Sequence, residues 1–391
     1  MTVGWSAQAD ARRAGTEAAE RALAQMAPLR PQVAMVFGSS WFAPDALLEG
    51  IRSALGGVPL IGGSTAGEIT LEGPRSHSCV IVLVASKTLT CSVGLGEAID
   101  RSPREAGHRA AYAASQELRD QPRLGFLWFG DGLVTNAADV VRGLQEVLGT
   151  GTLIVGGMTG DDLRLAHTFQ LFNDRVLHHC AVGTLFGGAG RLGIGIEHGF
   201  SPISKPRHVT RARANILYEL DRKPAASVYE EYFGTEVVRR MQHEGMTRER
   251  VAYPLGIQYD TAPGWMLRNV VSFQADGSVA CTGDVPEGAW LQLMIGSRAL
   301  ALDAARKAAQ QAIQSMNRLA GVLVFDSSAR RQLLGPQHAA TEIAQIRAIV
   351  GASVPLAGCY TYGEQAPLDA TAGYARSTTQ TGSVLIIALG T

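Results

Sequence analysis

The stretch VPLAGCYTYGE, Val354 to Glu364, repeats near the other end of the chain as VPLIGGSTAGE, Val58 to Glu68, with Val, Pro, Leu, Gly, Thr, Gly and Glu in register and no gap. A looser copy, LIVGGMTGD, runs from Leu153 to Asp161, one residue shorter after its glycine pair. An apolar run ending in small polar residues precedes each copy: MVFGSS at Met35 to Ser40, LWFGDG at Leu127 to Gly132 and LVFDSS at Leu323 to Ser328. An apolar run of strand length, a polar turn, a segment of helical period and a second apolar run ending in Gly make a strand–helix–strand unit. The turn after the first strand and the Gly-rich loop after the second then share one end of neighbouring parallel strands, where open α/β sheets hold ligands. The glycines alone require no more than tight turns with positive φ. The fold class that follows is α/β, two domains with mixed β-sheets flanked by helices and duplicated strand–helix–strand units.

At 391 residues the chain has the length for two or three domains and a large core. Lys plus Arg balances Asp plus Glu at 35 each, so no strong field favours nucleic acid or an anionic membrane. The five cysteines, Cys79, Cys91, Cys180, Cys281 and Cys359, are odd in number, widely spaced and without a C-x-x-C pair. That pattern argues against a disulfide framework or a structural zinc site and fits a reducing cytoplasm. The Ala-rich start has no apolar h-region of a signal peptide, and runs such as Val384 to Leu389 are too short to span a bilayer. The expectation is a soluble cytoplasmic protein with no membrane span and no nucleic-acid partner.

In chain order, Ala7 to Met26 reads as a helix, forming an N-terminal element over 1–30. Val33 to Phe37 is the first buried strand. A helix with Leu47, Leu48, Ile51 and Leu55 on one face follows and stops at Gly56 and Gly57. Cys79 to Ala85 is a further strand, with Leu89 to Leu95 as its expected antiparallel neighbour. Ser102, Pro103 and Glu105 predict a capped helix start. The short β segments from Thr168 to Ile196 suggest an antiparallel meander. A polar, proline-bearing turn near Ser201 to Arg207 places a boundary between an N-terminal α/β domain, 31–210, and a C-terminal one, 211–391. Ser297 caps a long helix before the third unit closes the chain.

The series GGSTAGE, LWFGDG, IVGGMTGDD, LYELDRKPA at Leu217 to Ala225, YPLGI and PLAGCYTYGE resembles the FIST family, whose N- and C-terminal domains together cover nearly the whole chain. The resemblance implies a sensory module for small ligands, with amino acids proposed as ligands, and no enzymatic activity. It also implies signalling to a partner protein such as a histidine kinase or a cyclic-di-nucleotide enzyme. Some members are haem proteins that sense nitric oxide. The family often carries Phe-His-Asn-Gln-Thr on a late strand, where this chain has Tyr374, Ala375, Arg376, Ser377, Thr378 and Thr379. That departure leaves Thr378 as the candidate there.

The acidic residues Glu68, Asp161 and Glu364 take equivalent places after glycine in the three loops, beside Ser64, Thr65, Thr159 and Thr361. Converging, the carboxylates hold an ammonium group and loop N–H groups hold a carboxylate, which suits an amino acid; alternatively each carboxylate only closes its own turn. Tyr360 and Tyr362 flank Thr361, one expected to line a pocket and the other to pack. Ser39, Ser40, Ser327, Ser328 and Asp131 follow strands and serve either a ligand or a helix start. No zinc spacing exists, and if haem is bound, His178 or His179 is its ligand, since neighbours in a strand face opposite ways. Ser64 in G-x-S-x-A faintly resembles a nucleophile elbow, but the copies put Met158 and Tyr360 in its place. The sequence nominates no catalytic residue.

Overall fold

The computed structural model describes residues 1–118, 121–134, 136–243, 248–258, 264–367 and 377–391. One pattern occurs three times. In the first repeat β1 (Thr2–Ser6) and α1 (Ala11–Ala24) lead to β2 (Val33–Ser39), α2 (Pro44–Leu55) and β3 (Leu60–Thr65). A hairpin of β4 (Glu68–Thr70) and β5 (Gly73–Arg75) follows, and β6 (Cys79–Val84) returns. The second repeat runs β7 (Leu89–Glu97), α3 (Pro103–Gln116), β8 (Arg123–Gly130), α4 (Ala137–Leu148) and β9 (Leu153–Met158). Its hairpin is β10 (Gln170–Phe172) and β11 (Arg175–Leu177), and its return strand is β12 (Cys180–Gly188).

The third repeat opens with β13 (Arg191–Glu197) and is then interrupted by an insert with a sheet of its own. The insert holds β14 (Phe200–Pro202), β15 (Arg207–Arg213), β16 (Ile216–Leu220), β17 (Lys223–Pro224), α5 (Ser227–Phe233), α6 (Thr235–His243) and α7 (Arg248–Ala252). It ends with β18 (Leu255–Gln258), β19 (Met266–Arg268), β20 (Val270–Phe273), β21 (Val279–Cys281) and β22 (Trp290–Gly296). The repeat resumes at α8 (Arg298–Ile313), β23 (Leu319–Ser327), α9 (Ser328–Val350) and β24 (Leu356–Thr361). The hairpin β25 (Glu364–Pro367) and β26 (Ser377–Gln380) and the return strand β27 (Val384–Gly390) complete it.

In each repeat the two strands around the second helix pair in parallel with matching register: Phe37 faces Gly63, Phe129 faces Gly157 and Phe325 faces Cys359. The return strand lies antiparallel to the first of them. The hairpins are exchanged in a cycle. The first repeat's β4 pairs with β24 of the third, the second's β10 with β3 of the first, and the third's β25 with β9 of the second. The outer strand of each repeat's parallel pair is thus paired with a hairpin from another repeat, which locks the three together.

The inner faces of the three sheets share one apolar core. At its centre Phe37, Phe129 and Phe325 meet edge to face, with centroids 5.5 to 5.8 Å apart. Each such pair contributes roughly 0.5–1.5 kcal/mol beyond its area burial. The outer faces are covered by α1 with α2, α3 with α4, and α8 with α9. The first glycine of each repeated pair is explained by this packing. A Cβ on Gly62, Gly156 or Gly358 would stand within about 2 Å of the carbonyl oxygen of Val36, Trp128 or Val324 on the neighbouring strand.

The structure is mixed α/β with mixed sheets flanked by helices, and it corrects several local expectations. Leu89 to Leu95 does not pair with the preceding strand: β7 pairs with β12 of its own repeat. The segment from Thr168 to Ile196 is not a meander, because β10 joins the first sheet, β12 the second and β13 the third. Ser102 precedes α3 but its side chain makes no capping bond. Strand β1 adds to the expected elements, and α9 breaks at Gly335 (φ 71°) before Pro336. Strand β13 pairs with β27, so the two halves of the chain are joined through one sheet. Among the described residues no helix is long and apolar enough to cross a membrane.

Candidate functional site

Beyond the phenylalanines, toward the loop end, the core turns polar. Thr65 donates to Glu68 Oε1, while Glu68 Oε2 accepts from the N–H and hydroxyl of Ser78 at 3.1 and 2.6 Å. The third repeat reproduces this: Thr361 donates to Glu364 Oε1 at 2.6 Å, and Ser383 gives its N–H and hydroxyl to Oε2 at 3.1 and 2.7 Å. Both carboxyls are fully buried. Burial raises Glu68 to about 7 and Glu364 to about 8, against the lowering pull of these hydroxyls.

The second repeat closes the same circuit with a different residue. Gln170, not Asp161, takes the equivalent place, opposite Gly63, as Glu68 lies opposite Cys359 and Glu364 opposite Gly157. Its Nε2 donates to Thr159 Oγ1 at 3.1 Å and its Oε1 accepts from the Cys180 N–H at 3.1 Å. The expected equivalence of Asp161 with Glu68 and Glu364 is therefore wrong, because the second loop is longer and delays its hairpin. Glu68 to Ser78 and Gln170 to Cys180 are both ten residues apart, a spacing that would have found Gln170.

The loop ends are also bonded in a cycle. Ala66 N–H donates to Tyr360 O at 2.9 Å, Tyr362 N–H to Met158 O at 3.1 Å and Gly160 N–H to Ser64 O at 3.1 Å. Asp161 organises the long second loop. It accepts from the N–H groups of Leu165, Ala166 and His167 at 2.9, 2.7 and 2.9 Å, and from the Tyr362 hydroxyl. Burial alone would raise Asp161, but these donors outweigh it and hold the carboxyl below its ordinary range. The loop they hold is strained: Asp162, Leu163 and Leu165 all have positive φ, at 55°, 65° and 53°.

This strained loop forms one wall of an open cleft of about 740 Å³ to which all three repeats contribute. The first repeat supplies Ala66, Pro74, Arg75 and Ser76, the second Asp162 and Leu163, and the third the kinked start of α9. Arg331 crosses between repeats. Its guanidinium donates to Ala66 O, to Arg75 O at 3.2 Å and to Ser76 Oγ at 2.7 Å, and lies 4.7 Å over the Tyr360 ring. Gly67 makes room for it: with φ 121°, a Cβ there would stand 1.8 Å from Arg331 Nη1.

The remaining candidates divide between wall and scaffold. Ser39 and Ser40 donate to Asp162 Oδ2 at 3.4 and 3.3 Å, and Ser328 lines the cleft directly. Ser327 accepts from Gly382 N–H at 3.0 Å instead of capping α9. Asp131 accepts from Leu133 N–H and the Thr168 hydroxyl at 2.9 and 2.6 Å, and pairs with His179 at 2.9 Å. Tyr360 is fully buried under Arg331, and Tyr362 acts on the strained loop. Ser64 Oγ accepts from Phe169 N–H at 3.0 Å. Thr378 sits on β26 opposite Ala366 and is not among the cleft's lining residues; Tyr374 to Arg376 lie outside the described residues. His178 and His179 are exposed on the turn before β12, their Nδ1 atoms facing Thr168 O and Asp131. That setting does not fit the axial ligand of a buried haem.

A buried ionic cluster went unrecognised in the sequence. Arg330 binds Asp326 at 2.8 Å and Glu342 across the kink of α9, and donates to His198 O and Ala301 O at 2.8 and 3.0 Å. All three side chains are fully buried. Burial and, after it, the neighbouring Asp326 push Glu342 well above its ordinary range. Nothing in the local sequence distinguishes the fully buried Arg330 from its half-buried neighbour Arg331.

The FIST N domain matches residues 32–223 and the FIST C domain residues 225–367. An uncharacterized protein of Mycobacterium tuberculosis is 27% identical over 383 residues, 94% of either chain. One of Methanocaldococcus jannaschii is 25% identical over 253 residues, 60% of this chain, and the match spans about half (48%) of that relative's length. A solved cyanuric acid hydrolase aligns with 99% of this chain and 98% of its own at 10% identity and a TM-score of 0.34. PurL of T. maritima complexed with ATP aligns with all of this chain and 71% of its own at 11% identity and 0.22. At those scores neither likeness carries weight. With both domain models matched in order along nearly its whole length, the chain belongs to the FIST family, a family of sensory domains.

Proposed function

We propose that this protein is a non-enzymatic sensor that binds a small ligand, an amino acid among the candidates, in the cleft between the Gly-rich loops and signals to a partner such as a histidine kinase or a cyclase in the cytoplasm. The observation that carries the reading is the convergence of all three repeats on one open cleft, with Arg331 of the third and Asp162 of the second both among its lining residues. Such a pair of opposite charges suits a zwitterion. Because the walls belong to different repeats, a ligand that bridges them shifts their relative placement, which is an output a partner can read. Against catalysis, the hydroxyl of Ser64 is engaged by a backbone N–H and no described His or Lys bonds it.

The test is a thermal-shift screen of amino acids and other small metabolites. A ligand of the native state raises the melting temperature in proportion to RT ln(1 + [L]/Kd). Ala340 is exposed on the cleft wall, so Ala340→Trp fills the space without disturbing the core. The reading predicts stabilisation by at least one solute that Ala340→Trp removes; stabilisation that survives the substitution places the ligand elsewhere.

A further inference from the structure

Resting on the reading of this cleft as a ligand site, we infer that its ligand is a small organic acid with one carboxylate and a flat, apolar body, of which aromatic carboxylates are the simplest class. Three observations support the assignment.

The first is the state of Arg331. Among the described residues no carboxylate pairs with it, and its three acceptors, Ala66 O, Arg75 O and Ser76 Oγ, are all neutral. Those three bonds engage one N–H of Nη1 and both of Nη2, leaving Nε–H and a second Nη1–H of the five donors without an assigned acceptor. The half-buried cation is held from two sides, by the first repeat's carbonyls and by the face of Tyr360. A half-buried guanidinium with no carboxylate partner among the described residues and two N–H groups to spare attracts a carboxylate and donates charge-assisted bonds to it.

The second is the rest of the wall. Pro74, Leu163, Pro336, Ala339 and Ala340 present apolar surface beside that cation, which excludes a strongly hydrated ligand and favours a flat hydrocarbon body. The third is Asp162. This residue, whose Oδ2 accepts from the hydroxyls of Ser39 and Ser40 at 3.4 and 3.3 Å, also lines the cleft and repels a second negative charge. The second lining cation, Arg75, is already paired with Glu72 and stacked on Trp5, so the charge left for a ligand is that of Arg331 against Asp162, which favours a monoanion or a zwitterion over di- and triphosphates.

Benzoate, benzamide and acetate separate the contributions of charge and body, with leucine as an aliphatic amino acid control. The expected result is a dose-dependent rise in melting temperature with benzoate, little with benzamide, which lacks the charge, and little with acetate, which lacks the body. Arg331→Ala should weaken benzoate binding about a hundredfold and Arg331→Lys about tenfold, since hydrogen bonds to charged groups carry most of such an interaction. Arg331→Lys keeps a cation between the repeats, so it covers the case in which Arg331→Ala does not fold. Benzamide binding as well as benzoate, or benzoate binding unchanged in both Arg331 variants, overturns the inference. Stabilisation by leucine but not benzoate overturns it while leaving the sensor reading intact. Stabilisation by no solute in the wider screen overturns both.

Discussion

Gln170 and Glu364 occupy the same place in two different repeats, Gln170 opposite Gly63 and Glu364 opposite Gly157, yet only Glu364 can carry a charge. Gln170 donates to Thr159, whose hydroxyl donates onward to Gly130 O at 3.0 Å. Thr361 has the matching acceptor, Asp326 O, at 3.4 Å. A protonated Glu364 can therefore donate to Thr361 as the amide donates to Thr159. The amide shows that the circuit closes around a neutral group, in keeping with carboxyls raised by burial to about 7 and 8.

Stability should depend on pH through these two acids. Their folded-state pKa values lie above the ordinary value of 4.5, so their contribution is fully present below 4.5 and is lost as pH rises through about 7 and 8. Above pH 5 the two acids span about two and three tenfold steps in proton affinity, each worth about 1.4 kcal/mol, so urea unfolding from pH 5 to 9 should show a loss on the order of 5–7 kcal/mol. The Glu68→Gln, Glu364→Gln double variant should flatten that slope; an unchanged slope would show that both acids are ionised in the fold.

The converse substitution, Gln170→Glu, should add a third buried acid. It should be nearly neutral to stability at pH 5 and destabilise increasingly above neutrality, read from the same urea series. Equal destabilisation at both ends would mean that shape and not charge matters at this position.

Tyr362→Phe removes the hydroxyl that donates to Asp161 and accepts from Leu163 N–H at 2.8 Å. The strained loop should loosen at a cost of about 1–3 kcal/mol for the polar groups left unpaired. Hydrogen exchange of Leu165, Ala166 and His167 should accelerate, with the amides of β8 and β12 unaffected.

Arg330→Met strands two buried acids. The expected loss is about 3–5 kcal/mol, the range for removing one partner of a buried ion pair. A melting temperature within a degree or two of the parent would show that the acids take up protons at no cost.

Phe325→Ala opens a cavity at the junction of the three sheets and should cost about 3–5 kcal/mol, whereas Phe325→Leu should cost less because the void is smaller. Calorimetry should show one transition for the three repeats, since their hairpins are exchanged.

The repeated stretches, the strand–helix–strand units and the loops at one end were legible in the sequence, because they are set by local periodicity and by glycines that let neighbouring strands approach. Thr65, Glu68, Thr361 and Glu364 were read from the sequence as ligand residues, whereas the structure places them in hydrogen-bonded circuits buried in the core. What the sequence could not show is long-range pairing. The exchange of β4, β10 and β25 among sheets is decided by which open edge each hairpin meets in space, and that exchange is what places Gln170, not Asp161, in the ring. Likewise the unpaired charge of Arg331 and the burial of Arg330, adjacent residues on one helix, are fixed only when α9 packs against the loops of the first repeat on one side and α8 on the other.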